Sequence, residues 1–358
     1  MPVLLDRGPS GYDVFAGMHG DGKEPPPEFR RSNVRCIDLA LINNMPDSAL
    51  EATERQFVEL LDSAADDTLV RLKFLALPDV PRAEWGRRYL SGAYSDIGSL
   101  WESRVDGLIV TGTEPRAAVL TEEPYWNTLT RIADWARDNT VSTIWSCLAA
   151  HAAVLHMDGI DRQALAGKCS GVFDCAGVTH HPMMGGAPRR FRMPHSRYNE
   201  LREDALASCG YTVVTKSAEA GVDTFVKQTR SLFVFFQGHP EYQAGTLLRE
   251  YRRDIGRFLK GERETYPAMP QGYFDAKATD TLAMFRARAL LDRREELIAS
   301  FPAAVLEQNL TNTWRASAIQ LYRNWLAYIS EQKANRLEPT TVAPSRRLRQ
   351  PTAPQSVP

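Results

Sequence analysis

Ser142-Thr-Ile-Trp-Ser-Cys147-Leu-Ala-Ala-His151-Ala-Ala-Val-Leu-His156 is the stretch whose reading decides the fold. It opens as a short β-branched and aromatic run, the pattern of a buried strand. The Ala- and Leu-rich sequence that follows favours a helix. Cys147 therefore stands at a strand-to-helix turn. There the helix dipole and free N–H groups lower a thiol pKa, and the same N–H groups can receive an oxyanion. A lone cysteine is more often a small buried hydrophobe, so the turn gains meaning only with a partner.

Leu232-Phe-Val-Phe-Phe-Gln-Gly238-His239-Pro240-Glu241-Tyr242 supplies one. A second strand-like run ends in Gly and then gives His-Pro-Glu. His239 at a strand end can serve a thiol as general base. Glu241, two residues on, can hold the second ring nitrogen and fix the tautomer. A turn with a solvated glutamate would look the same in isolation. The nucleophile turn and the His-x-Glu strand end together are far more specific.

Outward from these two, strands alternate with helices. Strands are expected at Val34–Ile42, Leu69–Leu77 and Val105–Gly112. Helices are expected after Ser48, over Arg82–Leu90, over Tyr125–Arg137 and over Gln243–Leu259. Tyr94–Leu100 reads as a loop near the site mouth. The alternation predicts an α/β fold with a mostly parallel sheet flanked by helices. In such sheets sites gather at the carboxyl ends of strands, where Gly112, Cys147 and His239 all fall. Residues 160–230 read as several short strands, among them Tyr211–Lys216 and Thr224–Gln228. Thr279–Ser300 reads as one long helix and Thr313–Glu331 as a last one.

Residues 1–33, with Gly20, Gly22 and Pro25-Pro-Pro27, read as a loose N-terminal arm that could pack over a neighbour in a homodimer. Residues 34–334 read as a single domain. Residues 335–358 hold five prolines and Arg346, Arg347 and Arg349, and read as a disordered tail. Hydrophobic residues make up 43% of the 358-residue chain and charged ones 24%, as in an ordinary soluble enzyme. A formal net charge of -1 gives no electrostatic case for nucleic acid or an anionic membrane. No apolar run reaches the ~18 residues of a membrane helix, and no secretory signal is visible. Five cysteines without tandem Cys-x-x-Cys spacing fit a reduced cytoplasm. Cys175 with His180-His181 fits no standard metal spacing, so no metal site is expected. The chain has no Gly-rich phosphate loop followed by Lys-Ser/Thr.

The motifs resemble the homoserine O-succinyltransferase family, relatives of class I glutamine amidotransferases. They run in order: Leu41-Ile-Asn-Asn-Met-Pro46, Glu51-Ala-Thr-Glu54-Arg-Gln-Phe57, Asp106-Gly-Leu-Ile-Val-Thr-Gly112, Pro124-Tyr-Trp126, the Cys147 turn, Leu165-Ala-Gly-Lys-Cys-Ser170-Gly171-Val172, Pro194-His-Ser-Arg197-Tyr198, Gly238-His-Pro-Glu-Tyr242, Arg253 and Asn324-Trp-Leu-Ala-Tyr328. The resemblance spans roughly residues 34 to 330. It implies a flavodoxin-like, class I glutamine amidotransferase-like fold with extra C-terminal helices, in which residues 275–305 stand as a helical insertion.

It also implies ping-pong acyl transfer in methionine biosynthesis. Cys147 attacks an acyl-coenzyme A, His239 acts as base, Glu241 orients it, and homoserine accepts the acyl group. The Leu148 N–H is an expected oxyanion donor. Coenzyme A thioester is a co-substrate, and no resident cofactor is implied. Arg253 matches the position that binds the acceptor carboxylate, where a planar guanidinium can grip both oxygens. Ser196 and Arg197 match another pocket segment, with Arg197 expected to bind substrate or to brace its loop. Tyr242 and Glu250 are acceptor-side candidates.

Two departures stand out. The family commonly carries a lysine after Asn-x-Met-Pro, available to the acyl donor, where this chain has Asp47-Ser48. The family's short turn after the glycine influences acyl choice, and here it reads Thr113-Glu-Pro-Arg116. Arg116 can pair with the free carboxylate of a succinyl group, so succinyl-CoA is expected over acetyl-CoA unless Glu114 neutralises it. The alternatives are a homoserine O-acetyltransferase, another amino-acid acceptor, a glutamine amidotransferase-like hydrolase and a non-catalytic binding relative.

Overall fold

A computed structural model describes residues 3–6, 12–14 and 35–337. One eleven-stranded sheet runs through it in the order β2-β1-β4-β3-β5-β6-β11-β10-β9-β7-β8. The strands are β1 (Val3–Asp6), β2 (Tyr12–Val14), β3 (Arg35–Ile42), β4 (Thr68–Leu75), β5 (Gly107–Val110), β6 (Ser142–Ser146), β7 (Gln163–Gly177), β8 (Arg190–Glu200), β9 (Thr212–Ser217), β10 (Gly221–Gln228) and β11 (Leu232–Phe236). From β1 through β4, β3, β5 and β6 to β11 every neighbour is parallel. Beyond β11 the sheet continues antiparallel through β10, β9, β7 and β8.

The parallel strands are continuous apolar runs because both their faces are covered. Leu41, Ile109, Ile144 and Val234 face one core, with α1 (Leu50–Ala64) and the last helix packed on it. Ile42, Val110, Trp145 and Phe235 face the other, under α4 (Trp126–Asn139) and α5 (Leu148–Asp158). Two short helices, α2 (Glu84–Ala93) and α3 (Gly98–Glu102), precede β5, and α6 (Glu203–Ser208) precedes β9. A third core lies outside the sheet. There Leu248, Tyr251, Ile255 and Phe258 of α7 (Thr246–Leu259) pack against Leu282 and Phe285 of α8 (Ala276–Leu291), Phe301, and Leu306 of α9 (Ala303–Glu307). Asp275 caps α8, its side chain accepting from the Ala278 N–H at 2.7 Å.

The final helix, α10 (Arg315–Leu337), is fixed by buried aromatics. Trp325 donates to the Ser142 hydroxyl of β6 at 2.9 Å, and Trp314 donates to the Tyr242 carbonyl at 2.9 Å. Asn324 donates to the carbonyls of Met183 and Gly185. These bonds give the Asn324–Tyr328 motif a structural reason.

Several expectations are corrected. Part of the expected loose arm is strand: Val3, Leu4 and Leu5 are buried and lie parallel to β4, because three consecutive apolar residues cover its edge. The other residues of 1–33, apart from 3–6 and 12–14, lie outside the described residues, as do 338–358 of the expected tail, while 335–337 continue α10. The expected loop at Tyr94–Leu100 runs into α3, and Tyr94 is buried with its hydroxyl donating to Glu54 at 2.7 Å. The long helix expected to Ser300 ends at Leu291. Arg293 turns back there to donate to the Phe258 carbonyl at the end of α7, at 2.7 Å, and a 3-10 turn follows over Glu295–Ser300. Where short strands were expected, β7 and β8 form a long hairpin. Among the described residues no helix is long and apolar enough to cross a membrane.

Candidate active site

Strands β6 and β11 pair in register, Leu232 opposite Ser142 and Phe236 opposite Ser146. The chain therefore leaves both strands at one level. Cys147 follows β6 with φ 53° and ψ -114°, a positive φ rarely taken by a residue with a side chain. Such a conformation costs on the order of 1–3 kcal/mol and persists only where its surroundings impose it. Here the Cys147 N–H donates to the Phe236 carbonyl at 2.8 Å, and its own carbonyl accepts from His151 of α5 at 3.2 Å. Gly112, at the end of the β5 loop, presses on the turn from the far side. A Cβ on it would lie 3.0 Å from the Leu148 nitrogen and 3.3 Å from the Ser146 carbonyl oxygen. The Leu148 N–H is thus the first of α5, beside the Gly112 turn, where helix amides lack partners within the helix.

The turn after β11 is held as firmly. Gln237 is fully buried, and its side-chain oxygen accepts from the Leu201 N–H at 2.8 Å and lies 3.0 Å from His151 Nε2. Its amide nitrogen donates to the Val222 carbonyl at 2.8 Å. Burial pushes the His151 pKa down to about 3, so this imidazole is a neutral strut joining α5 to β11. Gly238 lies so close to its neighbours that a Cβ would meet Asp223 Oδ1 at 2.5 Å and Met193 Cγ at 2.6 Å. The His239 N–H donates to the Pro194 carbonyl at 2.8 Å.

His239 Nδ1 lies 2.8 Å from Glu241 Oε1, and its ring stacks on Tyr242 with centroids 4.2 Å apart. Nε2, also buried, is the nitrogen left for the Cys147 thiol. Burial alone would lower the His239 pKa, but the charges of Glu241 and Cys147 outweigh it and raise the pKa well above its ordinary value. Glu241 therefore favours the imidazolium form of His239 beside the Cys147 thiol. Arg162, after α5, adds a positive charge close enough to Cys147, Glu123 and Tyr125 to interact with each.

Beyond His239 lies a polar cluster. The Tyr242 hydroxyl donates to Glu250 Oε1 at 2.5 Å, and the Ser196 hydroxyl donates to Oε2. Lys168 lies 3.5 Å from Glu250 and 2.7 Å from Asp254, and Arg253 donates twice to Asp254 Oδ1, at 3.1 and 3.0 Å. Burial would raise the Glu250 pKa, but Lys168 and the two hydroxyl donors hold it below the usual value.

The structure brings Cys147, Leu148, His239, Glu241, Ser196 and Arg253 to one end of the sheet. Arg197 does not reach the open site. It is buried, donating to the carbonyls of Asn199 and Ala220, with Nε 3.5 Å from His195 Nδ1. It braces β8 against the turn between β9 and β10, whose Ala220 carbonyl it reaches. Arg116 lines a cleft of about 230 Å³ with Pro46, Thr113, Glu123 and Tyr125. Glu114 does not neutralise it, since Glu114 pairs with Arg257 of α7 at 2.7 Å. Among the described residues no carboxylate pairs with the Arg116 guanidinium. Asp47 pairs with buried Arg82 at 3.2 Å and accepts from the Ala83 N–H at 2.8 Å.

Lys168, Asp254, Gln237 and His151 carried no expected role. Glu250, Arg253 and Asp254 do share a face at helical spacing, a signal that could have found Asp254. Cys175 lies not with His180-His181 but with His195 and Asp223, their donor atoms within 4.8 Å. All three are shut from solvent. His195 Nε2 lies 3.3 Å from Asp223 Oδ1, and the hydroxyls of Thr215 and Thr224 donate to Oδ2. The group reads as a buried histidine–carboxylate pair behind Gly238.

The family model described as "Homoserine O-succinyltransferase" matches residues 27–336. A homoserine O-succinyltransferase from Rhodopseudomonas palustris is 48% identical over 93% of this chain and 100% of its own length. One from Bradyrhizobium japonicum is 48% identical over 82% of this chain and 90% of its own. A solved glutamine amidotransferase from Methylobacillus flagellatus aligns at 16% identity and a TM-score of 0.45, over 83% of this chain and 96% of that one, too distant to carry an argument. On the family match, and on relatives aligned nearly end to end, the chain belongs to the homoserine O-succinyltransferase family.

Proposed function

We propose that this protein moves a succinyl group from succinyl-CoA to the hydroxyl of homoserine, in methionine biosynthesis, through an acyl-enzyme on Cys147. The observation that carries the reading is Cys147, held at positive φ on a helix N-terminus, opposite a buried His239 that Glu241 orients. The thiolate attacks the thioester carbon. The tetrahedral oxyanion meets the Leu148 N–H at the start of α5. Coenzyme A leaves as its thiol, taking the proton from His239. The homoserine hydroxyl then attacks the acyl-enzyme, His239 takes its proton, and the Cys147 thiolate is released. One thioester replaces another and an ester follows, so the coenzyme A thioester is the only activated co-substrate and no resident cofactor is needed.

Arg253 is about half exposed, oriented by Asp254, and keeps donors for the homoserine carboxylate. The cleft at Arg116, whose guanidinium meets no carboxylate among the described residues while Glu114 pairs with Arg257, suits the free carboxylate of a succinyl group better than an acetyl methyl. The test is thiol release from succinyl-CoA and acetyl-CoA, with and without homoserine, followed by product mass. Homoserine-dependent release giving O-succinylhomoserine is expected. A preference for acetyl-CoA would overturn the role given to Arg116. Release of neither thiol, with no acyl group on the protein, would overturn the function.

A further inference from the structure

A second cleft adjoins the end of the Asn43–Asp47 loop, at Asp47 and Ser48. Its volume is about 470 Å³, and Glu51 and Arg55 of α1, Trp85 of α2, and Gln243 and Arg249 at the start of α7 line it. We propose that this cleft holds the phosphorylated adenosine end of the coenzyme A thioester, an inference that rests on the acyl-transfer function above.

The walls are fixed. Gln56 of α1 donates to the Thr246 hydroxyl at 2.9 Å, and Gln243 donates to Glu59 at 2.8 Å. The two helices therefore meet as one rim. The cleft also adjoins the chemistry. Gln243 stands two residues after Glu241. The Asn43–Asp47 loop is tied to the Gly112 turn, because the Asn44 N–H donates to the Thr111 hydroxyl at 2.8 Å.

Its charges suit a phosphate. Arg55 and Arg249 are both exposed. Among the described residues neither pairs with a carboxylate, and Arg249 reaches only the Thr246 hydroxyl, at 3.0 Å. Asp47 also borders the cleft, but its carboxylate is turned to Arg82 and the first turn of α2. A Cβ on Gly86 would lie 2.2 Å from Asp47 Oδ1, which shows how closely that carboxylate packs there. Glu51 is then the one lining carboxylate not held by another group, set against two guanidiniums. Trp85 is 49% exposed and stacks on Tyr89, with ring centroids 5.2 Å apart and planes 10° apart. One indole face is braced, and among the described residues no other ring stacks on it, which leaves room for a flat base. An aromatic face between guanidiniums recognises a base carrying phosphates.

The test compares two donors on the full chain: succinyl-CoA, and S-succinyl-N-acetylcysteamine, which carries the thioester without the nucleotide. Wild type is set beside Arg55→Ala, Arg249→Ala, the double variant and Trp85→Ala. The ratio of kcat/KM for succinyl-CoA to that for the truncated donor is expected to fall about tenfold for each arginine and less for Trp85→Ala. An unchanged ratio in the double variant would overturn the site, whether both donors hold their rate or both lose it. If the wild type uses neither donor, the proposed function falls, and calorimetry decides the site alone. Weaker binding of coenzyme A but not of pantetheine by the double variant would support it, and unchanged coenzyme A binding would overturn it.

Discussion

In the parallel half of the sheet, β3, β5, β6 and β11 are short, buried on both faces and end at one level. In the antiparallel half, β7 and β8 are longer, and much of β7 is exposed or half-buried. The first half places the nucleophile and its base. The second, with α7, places the Lys168, Ser196, Glu250, Arg253 and Asp254 cluster that the proposed function assigns to the acceptor. Short buried parallel strands give fixed backbone exits, whereas a long hairpin and a helix face give a wall of exchangeable side chains. On the proposed function, reactivity and acceptor recognition sit on different structural materials, and substitutions in the two halves should fail differently.

The largest effect belongs to the parallel half. Cys147→Ala should lower kcat at least ~10³-fold while leaving the melting temperature nearly unchanged. Residual turnover near wild type would break the division of labour outright. Glu241→Gln should cost roughly 10²-fold or more in kcat, because the base loses its orienting charge, with little change in KM for homoserine. It should also move the His239 titration downward. In the wild type the raised His239 pKa adds stability that is fully present below about pH 6.5 and is lost as pH rises through the folded-state value. Thermal melts of wild type and Glu241→Gln across this range should converge at high pH.

In the antiparallel half and α7 the effects should fall on binding. Arg253→Ala should raise KM for homoserine about 10- to 100-fold and leave acyl-enzyme formation, read by protein mass, intact. Gly238→Ala sits at the junction. Its new methyl group meets Asp223 and Met193, so a stability loss of about 1–3 kcal/mol is expected, with kcat falling as His239 shifts. If KM for homoserine changed instead, the junction would belong to the acceptor wall. The smallest effect on turnover should come from His151→Gln. The folded-state pKa of His151 is lowered to about 3, so its contribution is full above the unfolded value and is lost as pH falls from ~6.5 toward 3. The variant should lose less stability than wild type between those limits, in denaturant melts.

The same contrast explains what was legible in the sequence. The Cys147 turn and the His-x-Glu strand end are local: a strand pattern, a small-residue turn and a helix pattern adjoin in the chain. The parallel strands announced themselves as apolar runs. The acceptor cluster is not local. Lys168 meets Asp254 across 86 positions, and only the folding of β7 onto α7 brings them together. Arg197 is visible as a motif residue, but its bracing role depends on the Ala220 carbonyl from another hairpin. His195 and Asp223 form a pair that no spacing rule signals. The end of α8 was missed because the cause, Arg293 reaching the Phe258 carbonyl, lies 35 residues back.

The register of β6 against β11 has a consequence for redesign. Nucleophile and base inherit their common level from backbone pairing, Phe236 against Ser146, and the firmly bonded turns that follow carry it to Cys147 and His239. A slip of one residue in that ladder would move one member by about 3.3 Å and turn its side chains to the opposite face. Insertions and deletions in β6 or β11 are therefore forbidden territory. Exposed side chains of β7 and α7 can be varied in a library without touching that ladder, whereas Met193 and Pro194 of β8 pack on the Gly238–His239 turn and must stay. An enzyme with a new acceptor would be sought there, on a chassis whose catalytic spacing is copied unchanged.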